Sequence, residues 1–180
     1  MHIVVATPLY PPDIEEAAVY SKEVAKRLAE KHTVTVVAYT RLPEQLPSVH
    51  VIAISKREPT FVRIAKFTLA LARAARNTDL LYVQNGASVE LPMTIVSLVS
   101  RAQIILHIAD PVAHAKAKKS FVLHLIQQIA TSRANTIFAD MPLRKPEILP
   151  LEEPAAEALE KYETSWRGHI SRLEHIYRHG

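Results

Sequence analysis

Apolar and polar positions change period regularly along the 180 residues. Short, nearly continuous apolar runs, rich in β-formers, occur at Ile3–Ala6, Thr33–Tyr39, Val49–Ile54, Leu80–Val83, Gln103–Ile108 and Asn135–Ala139. Runs of this length and continuity suit strands buried on both faces. Between them the period becomes helical, at about Ile14–Lys31, Thr60–Arg76 and Ala115–Arg133, with one further helix between the fourth and fifth runs. In the first helix Asp13 is the expected N-cap, and Ala18, Val24, Ala25 and Leu28 form the apolar stripe. Strands alternating with helices give right-handed βαβ units, hence an α/β fold with a doubly wound, Rossmann-like parallel sheet of about six strands. Ligands of such sheets bind beyond the carboxyl ends of the strands. The corresponding loops are Pro8–Ile14, Tyr39–Leu42, Gln84–Glu90 and His107–His114.

After Ala139 the pattern changes. Pro142, Pro146, Pro150 and Pro154 predict an extended connection over 141–154. An acidic helix over Ala155–Tyr162 and a last helix over Ser165–Arg178 follow. The second carries Trp166, Ile170, Leu173 and Tyr177 on one stripe, which calls for packing. The chain therefore divides into a Rossmann-like domain over 1–140, a connection over 141–154, and C-terminal helices over 155–180 expected to pack back on the same domain.

Composition narrows the chemistry. Hydrophobic residues at 48% and charged residues at 22% describe an ordinary globular chain of one-domain length. The absence of cysteine removes disulfides, thiolate nucleophiles and zinc–cysteine sites. Glycine occurs three times, at Gly86, Gly168 and Gly180, where about 7% of residues is usual. A glycine-rich phosphate loop, whether Walker-type or dinucleotide-binding, is thereby excluded. No apolar run reaches the roughly 18–20 residues of a membrane span, and Met1–Val5 reads as a strand rather than a leader. The expectation is a cytoplasmic protein.

The segment Thr7–Ile14 followed by Ala17–Glu23 resembles the opening of GT-B fold glycosyltransferases of the family-4 type. Asp79–Gly86 is similar to that family's fourth strand, and Gln103–Pro111 to its fifth strand and the following loop. Ser165–Arg178 resembles its final helix, which crosses back onto the first domain. The resemblance implies an N-terminal, acceptor-side domain, with the nucleotide-sugar (donor) domain missing between about Pro150 and Ala155. The family's donor signature is an acidic pair, Glu-x7-Glu, in a glycine-rich setting. Glu15 with Glu23, and Glu152 with Glu160, share the spacing without the glycines, a coincidence that fourteen glutamates in 180 residues produce by chance. Where the family carries Gly-Gly to approach the donor diphosphate, this chain carries Glu15 and Glu16. That exchange removes the close approach and adds negative charge.

Candidate site residues follow from strand ends. His107 and Asp110 lie after the fifth strand, as acid–base or acceptor-contacting groups, or else as a strand-end histidine and a helix cap. Tyr10, Asp13, Gln84, Asn85 and Asp110 are the candidate acceptor-binding set, although Asn85-Gly86 is equally a turn signal. His175 and His179 stand four apart with no third ligand in view, so no metal is expected and no cofactor is implied. From Lys56 to Arg76 six basic residues face one acid, a net +5 against +4 for the whole chain. Arg63, Lys66, Arg73 and Arg76 share one side of that helix, while Phe61, Ile64, Phe67 and Leu71 are expected to face the core. The basic side suits an anionic lipid surface, at the inner face of a membrane, a phosphorylated acceptor, or plain solvation. Few aromatics interleave with it, which argues against nucleic acid.

Two functional readings remain open at this stage. One is an acceptor-side half of a split or degenerate glycosyltransferase, inactive alone and needing a donor-domain partner chain. The other is a non-catalytic binding or scaffold protein, as a homodimer or peripheral to an anionic membrane.

Overall fold

The computed structural model describes residues 1–109, 115, 119–139, 142 and 155–179. They form two compact units, Met1–Phe138 and Ala139–Gly180. In the first, β1 (His2–Thr7), β2 (Thr33–Tyr39), β3 (Val49–Ile54), β4 (Leu80–Gln84), β5 (Gln103–His107) and β6 (Thr136–Phe138) make one sheet in the order β3-β2-β1-β4-β5-β6. Every pairing is parallel. Val5 sits level with Val36 on one side and Tyr82 on the other. This is the Rossmann-like α/β architecture that the alternating pattern predicts. The strand order reverses between β1 and β4, so the carboxyl-end crevice opens at Thr7 and Gln84.

Alternate residues of the strands divide the core. Val4, Ala6, Val37, Tyr39, Leu81, Val83, Ile104 and Leu106 point to one face. There they meet Phe67 and Leu71 of α2 (Thr60–Ala74), Val89, Met93 and Val96 of α3 (Ala87–Val96), and Ala130 of α4 (Phe121–Arg133). Each fully buried large side chain contributes roughly 1.5–3 kcal/mol. The Tyr39 and Phe67 rings stack at 4.4 Å. α1 (Glu16–Leu28) rests against β1 and β2, with Ala18, Tyr20, Ser21, Val24, Ala25 and Leu28 buried.

Four expectations are corrected. Asp13 does not cap α1: its N–H closes a turn onto the Tyr10 carbonyl at 3.2 Å, and its carboxylate pairs with Lys56 Nζ at 2.5 Å. The helix begins later, at Glu16, with Glu15 extended as the capping residue, and Ile14 is exposed. Phe61 is exposed rather than in the core, because it stands at the margin of the stripe that Phe67 and Leu71 bury. The helix expected over Ala115–Arg133 is interrupted: Ala115 is helical, Lys119 and Ser120 form a turn and a bend, and α4 starts at Phe121.

In the second unit the two expected helices are one, α5, running without a break over Ala155–His179. Nothing between Tyr162 and Ser165 is a strong helix breaker, so the register continues. Ala158, Trp166, His169, Ile170 and Leu173 are its buried residues, with Tyr162 and His169 edge-on to the Trp166 ring at 6.3 and 5.7 Å.

Candidate functional site

The last residue of β1 and the last of β4 meet at the switch point. Thr7 Oγ1 and Ser21 Oγ, the latter from the inner face of α1, lie 2.6 and 2.8 Å from the Gln84 side-chain amide and 2.9 Å from each other. All three residues are fully buried. The Thr7 hydroxyl also reaches the Leu9 carbonyl at 2.7 Å, and the Ser21 hydroxyl the Ala17 carbonyl at 2.6 Å. Both hydroxyls are placed to donate to Gln84 Oε1, so their two protons are shared among that oxygen and the two backbone carbonyls. Gln84 Nε2 is buried with no hydrogen-bond partner among the described residues. A buried, unpaired donor is costly, about 1–3 kcal/mol.

Around this cluster the strand ends supply rings and carboxylates. His107, level with Gln84 on β5, is fully buried. It stacks on Tyr20 at 4.8 Å and Tyr82 at 5.7 Å and tilts against Phe138 at 5.6 Å. The Tyr20 and Tyr82 hydroxyls share a 2.7 Å hydrogen bond. Its environment is that of a packed aromatic ring. Asn85 is buried, its N–H donating to the His107 carbonyl at 2.8 Å. Gly86 follows at φ +146, and a Cβ there would meet Pro8 Cγ at 3.4 Å, so a side chain at this turn would be strained. The Gly86 N–H donates to Glu90 Oε1 at 3.2 Å. Burial pushes the Glu90 carboxyl above its ordinary value, against the opposing pull of that N–H.

Tyr10 is fully buried, and its hydroxyl has no partner among the described residues. Burial first, and then the Glu44 charge, push it up to about 12. Glu15 and Glu16 stand exposed at the N-terminus of α1, beside this rim. Asp110 lies outside the described residues, as does the side chain of His179, while His175 is exposed. Among the described residues no group of three or more His, Cys, Asp or Glu could hold a metal ion.

The four basic residues expected on one helix are not equivalent: α2 ends at Ala74 and Arg76 lies in the 3-10 turn Ala75–Asn77. Arg63 lies over the Tyr39 ring at 5.4 Å and donates to the Lys56 carbonyl at 3.3 Å. Lys66 pairs with Glu58 at 2.6 Å. Arg73 and Arg76 are exposed.

No family model matches the chain, and no curated protein matches it either. A solved structure that does match is that of a "putative UDP-N-acetylglucosamine 2-epimerase" from Listeria monocytogenes, with a TM-score of 0.52 at 13% identity. The match covers 76% of this chain and 39% of that one. At this identity the likeness concerns the fold, a GT-B-like Rossmann domain. No helix among the described residues is long and apolar enough to cross a membrane.

The sequence reading placed Gln84 and Asn85 at the rim, and it missed Thr7, Ser21, Tyr20, Tyr82 and Glu90. A signal existed for Ser21, a hydroxyl set inside the apolar stripe of Ala18, Val24 and Ala25. For Glu90 it was a glutamate one turn into an otherwise apolar helix.

Proposed function

We propose that this chain is an acceptor-side, glycosyltransferase-like half domain that is not a transferase alone, working as a subunit of a split enzyme or as a degenerate homologue. The observation that carries the reading is the charge at the N-terminus of α1. In a GT-B-like domain this turn approaches the donor diphosphate, because unpaired amides and the helix dipole attract anions there. Here Glu15 and Glu16 occupy it with the protein's own carboxylates, both exposed. A diphosphate about 7 Å away would feel roughly 2 kcal/mol of repulsion per charge pair at an effective dielectric near 20. The rest of the rim keeps groups suited to sugar hydroxyls: the Gln84 amide, the Asn85 side chain and the buried Tyr10 hydroxyl.

Calorimetric titration of the chain with UDP-N-acetylglucosamine, UDP-glucose and GDP-mannose is expected to show no binding. Micromolar binding that disappears on changing Glu15 and Glu16 would overturn the reading. A pull-down from the native source then asks whether a donor-domain chain copurifies, as the split-enzyme form requires.

A further inference from the structure

α4 turns most of its large apolar side chains outward. Its buried residues are Gln127 and Ala130. Phe121, Val122, Leu125 and Ile129, spaced to form one stripe along the helix, are all exposed, Phe121 at 83% and Val122 at 62%. A contiguous apolar stripe facing water marks a surface that something else covers. The side of this helix that meets the core is narrow, Gln127 and Ala130 with Ala134 just beyond them, and it leaves the stripe outside.

The charge around the stripe selects the partner. On this side of the sheet Lys66 is paired with Glu58 at 2.6 Å, while Arg73, Arg76, Lys119 and Arg133 are exposed. Glu90 is buried, and Asp79 accepts the His2 N–H at 2.7 Å. The sequence holds no acid from Pro111 to Ala139, and Lys119 and Arg133 flank α4, both exposed. α2, α3 and α4 cover the same face of the sheet, so the exposed Arg73 of α2 and Arg76, in the 3-10 turn Ala75–Asn77 that follows it, belong to the same layer. A second copy is a poor occupant, since antiparallel pairing of two α4 helices would bring Lys119 of one toward Arg133 of the other. An anionic bilayer meets both requirements at once. Acyl chains receive the apolar stripe, and the headgroups receive the arginines and lysines.

We propose that the outer side of the α2–α3–α4 layer, led by the Phe121–Ile129 stripe, is a docking surface for an anionic lipid bilayer. This assignment stands on the surface alone and is independent of glycosyl transfer.

The test is cosedimentation of the whole chain with phosphatidylcholine vesicles containing about one-third phosphatidylserine, and with phosphatidylcholine alone. Binding is expected to the anionic vesicles only, and to weaken strongly between about 0.15 M and about 1 M salt. Phe121→Ser with Val122→Ser should abolish it, with the circular dichroism spectrum unchanged because both side chains are exposed. Arg73→Gln with Arg76→Gln should weaken it about fivefold per charge removed. Failure to bind anionic vesicles, equal binding to neutral ones, or indifference to both double variants would overturn the proposal. So would a concentration-dependent dimer that the Phe121 and Val122 changes dissolve, since the stripe would then be an interface between copies.

Discussion

The Tyr39 hydroxyl, at the end of β2, donates at 2.8 Å to the carbonyl of Ser88 in the first turn of α3. That carbonyl belongs to the residue four before Pro92, which sits inside the helix. Proline has no N–H, so Ser88 cannot receive the usual intrahelical bond. A side chain from the sheet replaces it. Burial of the ring, partly offset by the charge of Arg63 above it, pushes the Tyr39 hydroxyl up to about 12, so it remains a donor at neutral pH.

Tyr39→Phe should therefore cost about 1 kcal/mol in urea unfolding, the loss of one hydrogen bond to a half-buried carbonyl. Pro92→Ala restores the intrahelical donor, so Tyr39→Phe should cost much less in that background. A double-mutant cycle with no coupling would mean the hydroxyl and the proline are unrelated.

Glu90 predicts a pH dependence. Burial raises its carboxyl above 4.5 in the folded chain. Between that value and the raised one, the folded state holds more protons than the unfolded, so its contribution to stability falls as pH rises through the window. Glu90→Gln removes this loss while keeping an acceptor for the Gly86 N–H. It should unfold at higher temperature than the parent at pH 7 and match it below pH 4.5. Glu90→Ala loses the acceptor and should be less stable by about 1 kcal/mol.

Glu15→Gly with Glu16→Gly should lower stability by about 1–2 kcal/mol, through lost helix propensity, lost dipole interaction and a more flexible unfolded chain. Nucleotide-sugar binding measured by calorimetry should not appear in this variant. Its appearance would show that the two charges alone had closed the site.

Trp166, 3% exposed, is the largest buried side chain of α5. Trp166→Ala should cost about 3–5 kcal/mol in chemical unfolding, as for a large core truncation. A cost below about 1 kcal/mol would mark α5 as a loose tail.

Strands were readable because each is a continuous apolar run: Leu80–Val83 in the sequence becomes Leu80–Gln84 in the sheet, and Thr33–Tyr39 is unchanged. Helix ends were harder. Asp13 has the right chemistry for a cap, but a turn and Lys56 claim it first. The site was half legible. Gln84 announces itself as an amide at a strand end, whereas its partners Thr7 and Ser21 lie 77 and 63 residues away and look like tolerated polar residues until the sheet brings them together. Glu90 was missed because its burial and its bond to Gly86 depend on the β4–α3 turn.

That turn has a mechanical consequence. Pro8 stands 3.4 Å from where a Cβ of Gly86 would be, and Thr7, next to it, shares a hydrogen bond with Gln84. The β1–α1 and β4–α3 loops thus leave the sheet from one base: a polar crossbar ties the two strand ends, and the gap beside Pro8 admits a glycine and no larger residue without strain. The width of the crevice at this point is set by a missing methyl group as much as by the side chains around it.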